Sequence, residues 1–280
     1  MRYRTVFLAV GAPCDKAVID RGAEIARALD AHLSVLVMGV APPPPASPYG
    51  VVSSDIWASE IREGQETAQR EAQALMAELN EAGVQSSVEG HFIDRGSVPM
   101  LAARFARYSD LTLIPPAETG EGTDDLQSWV LNGALFESGR PVLLLPTVAD
   151  DFPKVRRALI AWDASVEASK AVYAAIDVLT AADAAEIVLI DPVPSFDGHG
   201  PEPGADLATY LARHGVSTTV HRLPREGHEI GQLLQRTARD LDADLIVMGG
   251  FGHSRLRQRI FGGTTTTMIK GCPVAVMMAH

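Results

Sequence analysis

Two kinds of segment alternate along the chain. Short segments that are apolar throughout, such as LIVMGG and VLLLP, are typical of strands in a parallel sheet whose two faces are both covered by helices. Between them lie Ala-rich segments in which apolar residues recur at helical spacing, including AVIDRGAEIARALDA, ETAQREAQALMAELNEAG, EASKAVYAAIDVLTAA and EIGQLLQRTARDLDA. This alternation predicts an α/β fold built on doubly wound, Rossmann-like parallel sheets.

The same order of elements occurs twice. Two pairs of segments align at one offset of 152 residues (157 − 5 and 185 − 33): TVFLAVGAP at 5–13 with RALIAWDAS at 157–165, and LSVLVMGVAP at 33–42 with AEIVLIDPVP at 185–194. Each half is predicted to contain five strands separated by four helices. The repeat predicts two tandem domains, residues 1–148 and residues 149–280.

The first half carries an insertion. SDLTLIPPA at 109–117 aligns with ADLIVMGGF at 243–251, where the offset is only 134 residues (243 − 109), so the first half is about 18 residues longer (152 − 134). The extra residues fit segment 41–58, APPPPASPYGVVSSDIWA. Because four consecutive prolines cannot continue a helix or a central strand, this segment is predicted to be a surface excursion or flap.

The last strand of each half, PVLLLP and PVAVMM, would leave an open sheet edge if it had no neighbour. We expect the two strands to pair within one chain, so that the two domains form an intramolecular pseudo-dimer. Association of two chains into a homodimer stays open at this point.

Composition narrows the functional classes. Hydrophobic residues make up 46% and charged residues 21% of the chain, as in a globular protein with a core. No apolar run reaches the length of a membrane helix, and the start lacks a cleavage site of the secretory type, so we expect no membrane association and a cytoplasmic location.

The net charge of −11 opposes binding to nucleic acid. The two cysteines, Cys14 and Cys272, are expected to be buried hydrophobic residues rather than working thiols.

Candidate chemistry lies in the turn after the fourth strand of the second half, MGGFGHSRLRQRIFGGTTTT. Its glycines and its polar and basic residues follow one another closely: Gly249, Gly252, His253, Gly262, Gly263, Thr264 and Thr265. Glycines let the backbone approach a ligand, and successive amides at a helix start hold phosphate. His253 and the arginines at 255, 257 and 259 add positive charge, which favours an anionic ligand.

In this spacing the sequence resembles the universal stress protein family, whose nucleotide-binding members carry Gly, two residues, Gly, nine residues, then Gly followed by Ser or Thr. Gly249, Gly252 and Gly262 match that pattern, and Asp163 stands where the family has the acid that contacts adenosine. The resemblance covers both halves and implies ATP, with Mg²⁺, in the second domain only. It also implies an adenine pocket lined by Ala161, Pro192 and Met248. The sequence departs from the family at Gly263, where a hydroxyl residue is expected; the Gly263 amide with the hydroxyls of Thr264 or Thr265 would take its place.

The first half lacks these features. Gly11 stands at the position of Asp163, and Pro115 and Pro116 replace Gly249 and Gly250. Acidic residues follow, at positions 118, 121, 124 and 125, where the second half has arginines. We expect no nucleotide in the first domain, which would serve as a structural or partner-binding copy.

Simpler interpretations accompany each feature. The glycines can form a plain strand-to-helix turn, Asp163 with Ser165 can be a helix cap, and the arginines can be a solvated face. The scattered histidines have no metal-binding spacing, so no metal site is predicted within the protein. No nucleophile elbow or Walker lysine occurs, so no catalytic residue is named. Three hypotheses follow: an ATP-binding regulator of the stress response with an unidentified protein partner, a nucleotide-free scaffold, and a weak ATPase.

Overall fold

The computed structural model describes residues 3–41, 54–116, 126–148, 151–195, 198–250 and 263–280. The first half contains, in order, β1 (Thr5–Gly11), α1 (Lys16–Leu29), β2 (His32–Ala41), α2 (Ser54–Glu81), β3 (Ser86–Asp94), α3 (Val98–Arg107), β4 (Leu111–Ile114), α4 (Leu126–Glu137) and β5 (Val142–Leu144). The second contains β6 (Arg157–Ala161), α5 (Val166–Ala181), β7 (Ala184–Ile190), α6 (Ala205–Arg213), β8 (Thr218–Leu223), α7 (Ile230–Asp240), β9 (Leu245–Gly249), α8 (Gly263–Ile269) and β10 (Ala275–Ala279). The predicted order of five strands and four helices per half is confirmed.

By its contacts the chain divides into two compact units. An N-terminal unit contains Tyr3–Leu113 together with α4, and a C-terminal unit contains Gly139–His280. Strand β5 therefore groups with the C-terminal unit, although it lies before residue 148 in the sequence. The predicted domain boundary at residue 148 comes from the sequence repeat and stays a prediction.

The N-terminal unit has a parallel sheet in the order β3-β2-β1-β4. Leu8 pairs in register with Val35 and lies against α1 at Gly22, where an added Cβ would come within 2.7 Å of the leucine side chain. Phe7 points to the opposite face, where its ring stacks on Phe105 of α3 at a centroid distance of 5.6 Å. Helices therefore cover both faces of this sheet, which explains why its central strands are apolar throughout.

The C-terminal unit has its sheet in the order β5-β10-β9-β6-β7-β8. The pairs β10·β9, β9·β6, β6·β7 and β7·β8 are parallel. Strand β5 pairs antiparallel with β10, where Leu143 lies opposite Met277. This pairing agrees with the expectation that the two last strands pair within one chain.

One expectation for the insertion changes. Helix α2 begins at Ser54, so the last residues of segment 41–58 belong to a 28-residue helix and not to an irregular excursion. The helical pattern reaches this far back because the stretch after Gly50 contains no proline. The proline run and the remaining expected flap lie outside the described residues.

A charged cluster lies on the sheet of the C-terminal unit, away from the carboxyl ends of the strands. Glu186 of β7 is 7% exposed, and its carboxylate lies 2.8 Å from Nε2 of His221 on the neighbouring strand β8. Nε of Arg157 lies 3.7 Å from the other carboxylate oxygen. A buried carboxylate needs such partners, because burial of an isolated charge is costly.

Candidate functional site

The candidate site lies at the carboxyl edge of the C-terminal sheet. Ala161, at the end of β6, pairs in register with Met248 of β9, and Pro192 follows the end of β7. Since parallel strands end at the same edge, these three predicted pocket residues lie along one edge. Met248 is 5% exposed, whereas Ala161 and Pro192 are half-buried.

Asp163 occupies the turn between β6 and α5. Its Oδ1 accepts a hydrogen bond from the Ser165 amide at 3.0 Å, and Ser165 Oγ in turn accepts one from the Ala168 amide at 3.1 Å. Ser165 is therefore the N-cap of α5, which confirms the helix-cap interpretation of this pair. Asp163 is nevertheless exposed at the edge, so capping leaves its carboxylate accessible to a ligand.

Helix α5 lies so close to the end of β9 at Gly249 that a residue with a Cβ does not fit there without a shift of the backbone. A Cβ at Gly249 would lie 2.6 Å from the Ala168 amide nitrogen and 2.9 Å from the Glu167 carbonyl carbon. Both contacts are with backbone atoms, which cannot rotate away as a side chain can. The first glycine of the predicted motif therefore has a packing function independent of any ligand.

A carboxylate is buried beside this contact. Glu167, in the first turn of α5, is 8% exposed, and its Cβ lies 3.0 Å from the place of a Cβ at Gly249. The partial positive charge at a helix N-terminus stabilises an acidic side chain in the first turn. Sequence analysis did not select Glu167, because a glutamate at a helix start carries no distinctive spacing.

Helix α8 carries the predicted hydroxyl residues. Gly263 is exposed at its start, and a Cβ added there would meet nothing within 4 Å among the described atoms. Thr264 is half-buried, whereas Thr265 is 3% exposed and belongs to the inward face of the helix. The geometry thus favours Gly263 and Thr264 over Thr265 as groups that a ligand can reach. The other predicted residues of the motif lie outside the described residues: Gly252, His253 and Gly262.

Gly250, directly after β9, makes hydrogen bonds to Ala279 and His280. The Gly250 amide donates a hydrogen bond to the Ala279 carbonyl at 2.9 Å. Nδ1 of His280 lies 2.8 Å from the carbonyl oxygen of Gly250. Sequence analysis missed His280. No local pattern could have indicated it, because the two residues are separated by 30 positions and meet only when β10 pairs with β9.

At the equivalent edge of the N-terminal unit, side chains of α4 lie beside the end of β1. A Cβ at Gly11 would lie 3.6 Å from a methyl group of Leu126, the first residue of α4. The amide nitrogen of the Gln127 side chain lies 3.3 Å from the carbonyl oxygen of Ala9. The acidic residues predicted to repel phosphate there lie outside the described residues.

The pKa values of both cysteine thiols are raised, which lowers the reactivity of the thiols. Burial, assisted by the negative charge and the hydrogen bond of Glu71, raises the pKa of Cys14 to about 12. Burial also raises the pKa of Cys272. The thiols are therefore protonated at neutral pH. Cys272 is buried as expected, whereas Cys14 is only half-buried. In the described part of the chain, no three His, Cys, Asp or Glu side chains are arranged to hold a metal ion.

The helices of the described segments include none with both the length and the apolar character needed to cross a membrane.

Comparison with protein families gives one match. Residues 154–280 match the universal stress protein family. These residues include Ala161, Asp163, Pro192, Met248 and the whole glycine motif. Among curated proteins, none matches the chain significantly.

Solved structures resemble the whole chain. A universal stress protein from Archaeoglobus fulgidus DSM 4304 is 17% identical with a TM-score of 0.64, and the match covers 98% of this chain and 95% of that one. A putative universal stress protein from Pseudomonas aeruginosa UCBPP-PA14 is 18% identical with a TM-score of 0.61, covering 99% and 92% of the two chains. A functionally unknown protein from Pseudomonas aeruginosa PAO1 is 18% identical with a TM-score of 0.58, with the same coverage. At these identities the likeness establishes the fold, an arrangement of two tandem α/β domains.

Proposed function

Because residues 154–280 are a domain of the universal stress protein family, we propose that this domain binds ATP together with Mg²⁺ and that the chain acts as a regulator in a stress response. Bound nucleotide would favour one conformation and so control the binding of a protein partner in the cytoplasm. The observation that carries the proposal is the family match over the half whose sequence contains the glycine motif and whose described residues include Asp163 and Gly249 at one sheet edge.

We place the adenosine end of the ligand at the described strand ends. Ala161, Met248 and Pro192 offer backbone and apolar surface at the carboxyl edge, the place where open α/β sheets bind ligands. Asp163 is exposed in the turn that follows β6 and offers a carboxylate acceptor for ribose hydroxyls. These residues supply contacts and orientation, and none of them is assigned a catalytic role.

The phosphate end depends on the start of α8. The Gly250 amide already donates to Ala279, so Gly263 and Thr264 are the described residues left to offer an amide and a hydroxyl. Among the described residues, no atom lies within 4 Å of the place of a Cβ at Gly263, which is consistent with room for phosphate oxygens there. When bound, Mg²⁺ would offset the negative charge of the phosphates, which matters in a chain of net charge −11.

The N-terminal domain is proposed to bind no nucleotide. Leu126 lies beside Gly11 and Gln127 lies beside Ala9, so side chains of α4 take the space at the equivalent edge. This leaves one nucleotide for each chain and frees the first domain for structural support or partner binding.

Calorimetric titration of the nucleotide-stripped full chain with Mg-ATP tests the proposal. We expect saturable binding near one ATP per chain that is lost in Gly252→Val. In Gly263→Ser, whose added Cβ clashes with none of the described residues, we expect binding about three- to tenfold tighter because the new hydroxyl adds one hydrogen bond. Absence of heat and of any thermal shift with excess Mg-ATP would contradict the proposal and favour the nucleotide-free scaffold. Phosphate release above a protein-free control would favour the weak ATPase.

A further inference from the structure

Two strands of the described sheet have a neighbour on one side only, β3 in the N-terminal unit and β8 in the C-terminal unit. The Leu33 amide of β2 donates to the Gln85 carbonyl at 2.8 Å. The Ala185 amide of β7 donates to the Ser217 carbonyl at 2.9 Å. The odd-numbered residues of β3 and β8 thus bond to the neighbouring strand. Because this direction alternates along a strand, the even-numbered residues of both strands direct their backbone N–H and C=O groups outward.

Helix α2 covers the outward side of β3. Nε2 of Gln65 donates to the Gly90 carbonyl at 3.1 Å, and Oε1 of Gln65 accepts from the Phe92 amide at 2.9 Å. The side-chain amide of Gln65 therefore occupies backbone groups that another strand would use. The helix backbone is also close, since a Cβ at Gly90 would collide with the carbonyl oxygen of Ala68. A further strand cannot pair with this part of β3 unless α2 moves.

Strand β8 has no such cover among the described residues. Its outward residues are Thr218, Val220 and Arg222, and no described residue makes a hydrogen bond to their backbone N–H or C=O groups. Helix α6, which takes the place of α2 in this unit, has nine residues against 28 in α2. The Arg222 side chain turns back to the Pro203 carbonyl at 3.1 Å and to the Glu202 carboxylate at 3.0 Å. Unpaired backbone groups of this kind are a template for pairing with another strand.

The sequence of β8 suits pairing with a second copy of itself. In an antiparallel pair on a two-fold axis through Val220, Val220 faces Val220 of the second copy and Thr218 faces Arg222. Residues that face each other in this way exchange both of their hydrogen bonds, so every outward backbone group of these residues finds a partner. Thr219 lies opposite His221, and no two like charges are opposed. Each copy has one β8 edge, so the pairing closes at a dimer.

We propose that the outward edge of β8 is a self-association surface, on which a second copy of this chain pairs antiparallel about a two-fold axis at Val220. The contact uses described residues of the C-terminal unit and goes beyond the proposed function, because it is independent of ATP. A strand of six residues makes a small interface, so the dimer is expected to be of the weak, transient class that forms at micromolar concentrations or above.

Sedimentation velocity of the full chain over a concentration series, without nucleotide, measures the Kd of the dimer. We expect Val220→Pro to raise this Kd at least about tenfold, because proline removes the central N–H of both copies. The lost N–H points away from β7, and edge strands tolerate such a proline. Val88→Pro in β3 is the matched control and should leave the Kd unchanged. Val88 is the equivalent position because its partner Val35 precedes Ile187, the partner of Val220, by 152 residues (187 − 35).

A second pair of variants tests the pairing even if a proline variant does not fold. Oxidation of Val220→Cys by oxygen with copper phenanthroline should give a disulfide-linked dimer, because the two Cα atoms on the axis lie about 5.5 Å apart. Val88→Cys should stay monomeric under the same conditions. The native thiols of Cys14 and Cys272 have raised pKa values and add little background, which the wild-type chain measures.

A wild-type chain that stays monomeric up to its highest soluble concentration would overturn the inference. So would a folded Val220→Pro variant that dimerises with the Kd of the wild type, or equal crosslinking of the two cysteine variants. Failure of Mg-ATP binding would contradict the proposed function and leave this result unchanged, because no nucleotide enters either measurement.

Discussion

Replacement of Gly249 by alanine separates packing from ligand binding at the candidate site. The new Cβ would lie 2.6 Å from the Ala168 nitrogen and 2.9 Å from the Glu167 carbonyl carbon, whereas ordinary contact begins near 3.4 Å. The first turn of α5 would therefore have to move by about 0.8 Å (3.4 − 2.6). This turn leads directly into close-packed residues, since Ala168, Ala171 and Val172 are each at most 2% exposed. Relief of the clash therefore disturbs the core.

Overpacking of this kind lowers the free energy of unfolding by about 1–3 kcal/mol. Because the atoms that clash belong to the backbone, we expect Gly249→Ala to fall in the upper half of that range. We expect the free energy of unfolding to fall by about 2 kcal/mol, measured from denaturant midpoints by circular dichroism without nucleotide. Gly263→Ala is the matched control, because its Cβ would meet no atom of the described part of the chain within 4 Å. The control should be neutral or stabilised by up to about 1 kcal/mol through reduced entropy of the unfolded chain.

The result that would refute this reasoning is a Gly249→Ala variant within about 0.5 kcal/mol of the wild type, the range of an ordinary surface substitution. A large loss would have a second consequence. Weakened ATP binding in Gly249→Ala would then reflect displacement of α5, and contact of Gly249 with phosphate would need separate proof.

Three further predictions concern the rest of the fold. Thr112→Val should stabilise the protein by about 1 kcal/mol in thermal unfolding, because the buried Thr112 hydroxyl has no hydrogen-bond partner among the described residues; Thr237→Val, which loses a 2.8 Å bond to a carbonyl, should destabilise it, and equal effects would contradict this. Cys14 should react with iodoacetamide at pH 8 more than about tenfold more slowly than an ordinary thiol, since its pKa is raised from 9.0 to about 12 and the smaller thiolate fraction outweighs the greater nucleophilicity of a more basic thiolate; reaction at the free-thiol rate would exclude the shift. A double-mutant cycle of Glu186→Ala and His221→Ala should give a coupling free energy of about 1–2 kcal/mol from chemical denaturation, and additive effects would show that the 2.8 Å contact contributes nothing.

The candidate site was predictable in part. Gly249 was selected from the local glycine spacing and Asp163 from the resemblance to the family, and the structure places both at the carboxyl edge of the sheet. Burial of Thr265 could not be predicted, since four successive threonines look alike until α8 presents one face to the interior. His280 escaped detection because it meets Gly250 only through strand pairing.

The sequence by itself determined the tandem repeat and the alternation of strands and helices, whereas the edge at which a ligand binds stays a prediction. These follow from short-range periodicity, which hydrophobic burial imposes on each segment separately. Only the tertiary structure decided that Gly249 is needed for the approach of α5, that Leu126 covers the equivalent place beside Gly11, and that Glu186 is buried with a histidine partner. Each of these depends on distances between segments far apart in the chain, and no local pattern of side chains encodes such distances.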